Sequence, residues 1–139
     1  MIRAIGIDHG DARIGVAISD ELGMLAHPLE TIHLKDGDPL PRIKQIVEAN
    51  KIGMIVLGLP RNMDGTYGPA AEKVRGFADQ MKAVVSCPVK LWDERMTTKA
   101  AQRSLHATGR NTKQSREVID QAAAQLILQG WLDSQAMLG

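Results

Sequence analysis

Three short runs near the start of the chain alternate apolar and polar residues in the manner of β-strands. They are IRAIGID, RIGVAISD and MLAHPLETI, all within residues 2–34, and the turn-forming segments HGDA and ELG separate them. Connections this short predict an antiparallel meander, because parallel strands need a long crossover.

Helical and strand-like patterns then alternate. Residues 40–47 place Leu40, Ile43, Ile46 and Val47 on one side of a helix, and GMIVLGLP follows as a buried strand. A second helix begins after RNMDGTYGP and leads into PVKLWDE. Its apolar stripe consists of Ala70, Ala71, Val74, Phe77, Ala78 and Met81. Two helix–strand units are therefore predicted after the meander.

The remainder predicts a short helix over TTKAAQRSLHA, a polar loop, GRNTKQ, within 108–115, and a long terminal helix beginning near Ser115. The apolar stripe of the terminal helix is predicted at Val118, Ile119, Ala122, Ala123, Leu126, Ile127 and Trp131. The order βββαβαβαα predicts an α/β fold with a mixed five-stranded sheet whose last two strands follow right-handed crossovers. This is the order of an RNase H-like fold. With no repeat or linker in the sequence, we expect a single domain over residues 1–139.

Composition narrows the class of protein. A chain of 139 residues with 44% hydrophobic content can build one core, and a net charge of +1 excludes a histone-like tail protein. The single cysteine, Cys87, excludes disulfide frameworks and cysteine-based zinc sites, and we expect it to pack in the core. No apolar run reaches the length of a signal peptide or a membrane span, so we expect a cytoplasmic protein without a membrane partner.

The first strand ends in a carboxylate. Alternation places Ala4, Gly6 and Asp8 on one face of that strand. Asp8 then begins the pattern D-x-G-x-x-x-x-G with Gly10 and Gly15, in which missing side chains would let a phosphate or a metal-bound oxygen approach the backbone. The alternative is an aspartate that only fixes the turn.

Further carboxylates lie at the end of the last strand and in the terminal helix. Asp93 and Glu94 are adjacent, so only one of them can face a site on a given side of the sheet, and the pattern does not say which. They could instead favour the N-terminus of a following helix. Asp120 falls at the border of the predicted apolar stripe, where it could face a cleft or simply interact with the helix dipole.

Together, these acids predict a metal site. If strands one and five are near neighbours and the terminal helix packs across their ends, Asp8, one of Asp93 and Glu94, and Asp120 converge. Carboxylate oxygens select hard cations such as Mg²⁺ or Mn²⁺. Two ions about 3.5–4 Å apart can support phosphodiester cleavage. The four histidines lack metal-ligand spacing, and His9 should point away from Asp8 as a structural residue.

Cationic residues lie next to the acids along the predicted fold. They are Arg13, Arg61, Arg95, Arg103, Arg110, Lys113 and Arg116. Beside a metal site they predict contacts to nucleic-acid phosphates, although solvated loops are usually charged too. Because aromatic residues are only 3% of the chain, we expect recognition of shape and backbone rather than of bases.

Four motifs together resemble the YqgF family, also called RuvX. They are GIDHGDARIGVAISD, GLPRNMDGTYG, LWDERMTT and VIDQAAAQLIL, and the resemblance covers Ile5 to Leu132. Members are known as candidate Holliday junction resolvases and pre-16S rRNA processing nucleases. The resemblance implies an RNase H-like, metal-dependent bacterial nuclease with catalytic and metal-binding residues at Asp8, Asp93, Glu94 and Asp120. Met96 stands where the family often has Leu, a change that conserves volume.

The leading hypothesis is a metal-dependent endonuclease that processes the 5′ end of pre-16S rRNA, acting on structured RNA. A Holliday junction resolvase is the alternative within the same chemistry, and it would require a homodimer because two symmetric cuts need two sites. The sequence leaves monomer and dimer open. Two other classes remain: a nucleotide-binding domain, because the glycine pattern also resembles that of actin-like ATPases, and a non-catalytic nucleic-acid-binding module in transcription.

Overall fold

The computed structural model describes residues 2–62, 64–93 and 112–138, with side chains in the last segment described over 117–136. Its five strands are β1 (Arg3–His9), β2 (Arg13–Ser19), β3 (Ala26–His33), β4 (Ile52–Leu59) and β5 (Val89–Asp93). Its helices are α1 (Leu40–Ala49), α2 (Pro69–Val84) and α3 (Thr112–Leu138), with a 3₁₀ turn at Leu34–Asp36. The predicted short helix over TTKAAQRSLHA lies outside the described residues.

The sheet has the order β3-β2-β1-β4-β5. β1, β2 and β3 pair antiparallel, and β4 pairs parallel with both β1 and β5. The predicted meander and helical crossovers are therefore confirmed. β4 lies between β1 and β5, so the two strands that end in acids are two strand spacings apart, about 9.5 Å.

The two faces of the sheet differ in the size of their side chains. On one face, Ile5, Ile7 and Leu57 form a large core with the apolar sides of α1 and α2. On the other face, small residues such as Ala4 and Ala17 pack against α3. The predicted alternation along β1 is confirmed, and Cys87 packs against the larger core as expected.

The stripe of α3 that contacts the sheet differs from the predicted one. The buried residues of the helix are Ala123, Ala124, Ile127, Leu128, Trp131 and Leu132. Ala122 and Leu126, which were predicted to be core, are only partly buried. Relative to the prediction, the helix is rotated by about one residue, or 100°. The reason is that its backbone packs directly on glycine, since a Cβ at Gly6 would lie 2.7 Å from the carbonyl oxygen of Ala124.

His9 points away from Asp8, as predicted, and its ring lies 4.5 Å from that of Phe77 in α2. Burial lowers the pKa of His9 from its ordinary 6.5, because the charged ring is poorly solvated, and the nearby charge of Asp11 only partly opposes this. Within the described residues, no helix has the length and apolar content needed to cross a bilayer.

The lowered pKa of His9 predicts a pH dependence of stability. Above pH 6.5 the ring is neutral in both folded and unfolded chains, whereas below it the unfolded chain binds a proton that the folded chain does not. The free energy of unfolding should therefore decrease as pH falls from 6.5 to the lower pKa of the folded state. Urea denaturation at a series of pH values should show a weaker decrease for His9→Asn than for the wild type. The exposed His27→Asn is the control, and equal slopes for His9→Asn and the wild type would contradict the prediction.

Candidate active site at the carboxyl end of β1

Asp8 and Asp120 meet at Gly15. Asp8 pairs with Gly15 in the register of β1 and β2, so both residues face α3. On that face, a Cβ at Gly15 would overlap the carbonyl oxygen of Asp120. The missing side chain therefore lets the helix rest on the strand directly beside Asp8. The prediction that Gly15 makes room for a phosphate is wrong, since the helix backbone fills that space.

Arg13 neutralises Asp120. Its Nε donates a hydrogen bond of 2.7 Å to Asp120 Oδ2, and the Asp120 side chain is only 15% exposed. The helix dipole stabilises a carboxylate only in the first turn of a helix. Because α3 begins at Thr112, Asp120 lies beyond that turn. The charge of Asp120 is thus balanced by a side chain of the sheet rather than by its own helix.

A second side-chain contact lies next to this ion pair. His33 pairs with Arg13 across β2 and β3, and its Nε2 lies 2.9 Å from Glu117 Oε1. Since Glu117 and Asp120 are three residues apart, both carboxylates lie on one face of α3. Two parallel links, Arg13–Asp120 and His33–Glu117, therefore tie the strand ends to the helix at the candidate site.

Polar residues every fourth position along α3 continue this connection. Gln121 Nε2 donates to Thr31 Oγ1 at 3.0 Å, and Gln125 Nε2 donates to the carbonyl of Ala26 at 2.9 Å. Gln129 accepts from Ala26 N and donates to the carbonyl of Met24, both at 2.9 Å. The glycine and alanine face of the sheet offers few side chains to fix the helix along its axis. We infer that this glutamine ladder (Gln121, Gln125, Gln129) sets the position of Asp120 against β1.

Removing one rung of the ladder should cost stability. Gln129→Ala leaves the buried Ala26 N–H without its acceptor, and we expect a loss of about 2 kcal/mol in the free energy of unfolding. Gln135→Ala, on the exposed side of the same helix, should change it by less than about 0.5 kcal/mol. Chemical denaturation measures both. Equal effects of the two substitutions would show that the ladder does not hold the helix.

Asp93 lies on the opposite face from Asp8 and Asp120. Trp92 packs against the α3 cluster, whereas Leu91 packs against the α1–α2 core, and alternation assigns Asp93 to the side of Leu91. Arg61 Nη1 donates a 2.9 Å hydrogen bond to Asp93 Oδ2. The guanidinium of Arg61 also lies 4.8 Å from the ring centre of Tyr67, as does that of Arg75.

Most of the remaining predicted site residues do not belong to the part of the chain that the structure describes. Glu94, Arg95, Arg103 and Arg110 lie outside the described residues, and for Lys113 and Arg116 only the backbone is described. Among the described side chains, no three His, Cys, Asp or Glu residues form a group that could hold a metal ion. The structure thus places two of the predicted acidic residues, Asp8 and Asp120, next to Gly15, and Arg13 links Asp120 to the sheet there.

Sequence reasoning missed Glu117 and the glutamine ladder. The signal was present as polar residues at positions 117, 121, 125 and 129, a four-residue spacing that keeps side chains on one helix face. A stripe of this kind is usually a solvated surface. The position of β3 at the sheet edge gives these side chains their partners, which are side chains for Glu117 and Gln121 and backbone atoms for Gln125 and Gln129.

Comparison with known proteins assigns the chain to a family. The profile of the RuvX family, described as Holliday junction resolvase, matches residues 2–134. A protein of Streptomyces avermitilis is 49% identical over 99% of this chain and 89% of its own, and one of Pelotomaculum thermopropionicum is 47% identical over 96% and 88%. Both are named as candidate pre-16S rRNA nucleases. The structure of RuvC from T. thermophilus with a Holliday junction substrate covers 98% of this chain and is itself covered over 96%, with a TM-score of 0.57 at 14% identity. That likeness shows an RNase H-like fold, and the chain belongs to the RuvX family.

Proposed function

We propose that this protein is a metal-dependent endonuclease that hydrolyses phosphodiester bonds of nucleic acid at the carboxyl end of β1. The observation that carries the proposal is the placement of Asp8 and Asp120 next to Gly15 on one face of the sheet, from positions far apart in the sequence. Family membership supports the reaction class, because the related proteins are named as nucleases.

The donors at this site suit Mg²⁺ or Mn²⁺. Asp8 and Asp120 offer carboxylate oxygens, which hard divalent cations prefer. A bound divalent ion would supply charge stabilisation and an activated water for hydrolysis. Arg13 keeps the charge of Asp120 balanced before any ion binds, and we expect its guanidinium to contact a substrate phosphate during the reaction.

A third carboxylate is needed from the end of β5, and we assign it to Glu94. The alternation of β5 puts Asp93 on the α1–α2 side, away from Asp8, and this leaves the adjacent Glu94 as the proposed ligand. Glu94→Gln should therefore reduce cleavage by at least about 100-fold, whereas Asp93→Asn, which disturbs the link to Arg61, should reduce it by less than about tenfold. Single-turnover cleavage rates at saturating Mg²⁺ distinguish them. The reverse order would assign the ligand to Asp93.

The proposed substrate is structured RNA at the 5′ end of pre-16S rRNA, and the names of the relatives support pre-16S rRNA as the substrate class. Arg13 and Arg61, with Arg95, Arg103, Arg110, Lys113 and Arg116, supply the cations for its phosphates. The description of the family favours a second candidate, resolution of four-way DNA junctions. We expect the protein to act in the cytoplasm.

The test is cleavage of both substrates by the same preparation. An RNA spanning the 5′ end of 16S rRNA and a synthetic four-way junction should be incubated with Mg²⁺ or Mn²⁺, with EDTA as the control. The proposal expects metal-dependent cuts in the RNA. Paired symmetric cuts in the junction, together with a dimer by light scattering, would favour the resolvase, and the absence of metal-dependent cleavage of either would contradict the nuclease assignment.

A further inference from the structure

A cleft of about 720 Å³ lies beside the candidate active site. One wall is the β1–β2 turn with Asp11, Ala12 and Arg13, and the other is the end of β3 at His33 with Leu34 and Lys35 of the 3₁₀ turn that follows. Glu117 of α3 closes the back. The volume falls within the range of small-molecule sites in proteins, about 300–1,000 Å³.

The walls of the cleft are held in place by hydrogen bonds. Gly10 N donates to the carbonyl of Arg13 at 2.9 Å and closes the turn, and Leu34 N donates to the carbonyl of Ala12 at 3.0 Å, which joins the two walls. The links Arg13–Asp120 and His33–Glu117 fix the back. The cleft is thus preformed, and it begins where the candidate site ends, since Arg13 belongs to both.

The cleft carries charges of both signs. On its turn wall, Asp11 is paired with Lys73 at 3.4 Å and Arg13 is paired with Asp120. Lys35 at the rim is exposed and forms no ion pair with any described residue. Glu117 at the back carries a carboxylate that is 39% exposed beside the ring of His33. A phosphate is therefore attracted to the rim and repelled from the back, where a group with N–H donors would be bound.

We propose that this cleft holds one unpaired nucleotide of the substrate strand next to the cleaved phosphate. Its phosphate contacts Lys35, its apolar surface lies against Ala12 and Leu34, and the amino edge of its base meets Glu117. A base inside a duplex already uses that edge, so the cleft selects substrates with a flipped or bulged nucleotide. The proposal rests on the proposed nuclease function and narrows its substrate to nucleic acid with an unpaired position beside the cut.

Binding by the catalytically impaired Asp8→Asn protein tests the phosphate contact. Fluorescence anisotropy with Ca²⁺ would compare a fully paired RNA hairpin with the same hairpin carrying one bulged cytosine. Adding Lys35→Gln should weaken binding of the bulged RNA about fivefold and lower the slope of log K against log salt by about 0.7–0.9. The affinity for the paired hairpin should stay within about twofold. Lys82→Gln, an exposed lysine on α2, is the matched control. Equal losses from the two lysines, or equal losses for both RNAs, would overturn the proposal.

A bulged uracil in place of cytosine tests the back of the cleft. Cytosine presents an amino donor where uracil presents a carbonyl acceptor, so the Asp8→Asn protein should bind the cytosine bulge about five- to tenfold more tightly. Glu117→Gln keeps an acceptor for His33 but removes the charge, and this preference should fall below about twofold. A preference unchanged by Glu117→Gln would contradict the proposal. The cleavage assay tests the nuclease function separately. If the wild type cuts in a metal-dependent way but Lys35→Gln does not alter binding, only the proposed role of the cleft is overturned.

Discussion

Asp8→Asn and Asp120→Asn should each abolish metal-dependent cleavage, with a loss of at least about 1,000-fold in the single-turnover rate. The two residues lie on the same face of the sheet beside Gly15, where under the proposed function each would supply an anionic oxygen to a divalent ion. An amide keeps the shape but loses the charge, and the lost stabilisation of the transition state amounts to several kcal/mol, or about tenfold in rate for each 1.4 kcal/mol. Asp120→Asn also leaves Arg13 without its anionic partner.

A matched control separates loss of chemistry from loss of charge. Asp79→Asn, on the exposed side of α2 and across the sheet from the candidate site, removes one negative charge and should leave the cleavage rate within about twofold. Circular dichroism and thermal melting would verify that all three variants fold. Full activity in folded Asp8→Asn or Asp120→Asn would show that the carboxylates at Gly15 are not the catalytic ones.

Gly15→Ala should lower the free energy of unfolding by about 3 kcal/mol and reduce cleavage. The added methyl group would overlap the carbonyl oxygen of Asp120, and backbone on both sides of the contact cannot rotate away as a flexible side chain would. Relief requires α3 to move off the sheet, which displaces Asp120 from Asp8. For a chain of this length, we expect a decrease of about 10 °C in the melting temperature.

Gly76→Ala provides the comparison for that substitution. Nothing lies within 4 Å of a Cβ at Gly76, on the exposed face of α2, so alanine there should raise stability by about 0.5–1 kcal/mol through helix propensity. Opposite signs for the two substitutions are the expected result of differential scanning calorimetry. A Gly15→Ala protein as stable and active as the wild type would contradict the close contact between α3 and β2.

The fold was predictable because its signals are local. Short turns between the first three strands require antiparallel pairing, and the helices before β4 and β5 require crossovers. The rotation of α3 was not predictable from its own sequence, because it depends on Gly6 and Gly15 in other strands admitting the helix backbone. The sequence of a helix shows which of its sides is apolar. Its rotation about its own axis depends also on the surface of the sheet on which it packs.

The candidate site was predicted in part. Asp8 follows from strand alternation, and Asp120 was recognised as a border residue of α3, but its partner Arg13 was assigned only to nucleic acid. The phase of β5 could not be read from Val89, Leu91 and Trp92, because all three are apolar and pack on different faces. The contact between Trp92 and Gly130 of α3 fixes the phase of β5. Trp92 faces α3, so Asp93 faces the other side of the sheet.

Locating Mn²⁺ in crystals of the protein is the most direct test of a metal site shared by Asp8 and Asp120. Anomalous scattering should place an ion with oxygen ligands from both Asp8 and Asp120, at the end of β1 and over Gly15, with Arg13 moved away from Asp120. Titration followed by electron paramagnetic resonance should show at least tenfold weaker Mn²⁺ binding in Asp8→Asn. An ion bound elsewhere, or Mn²⁺ affinity unchanged by Asp8→Asn and Asp120→Asn, would contradict the account.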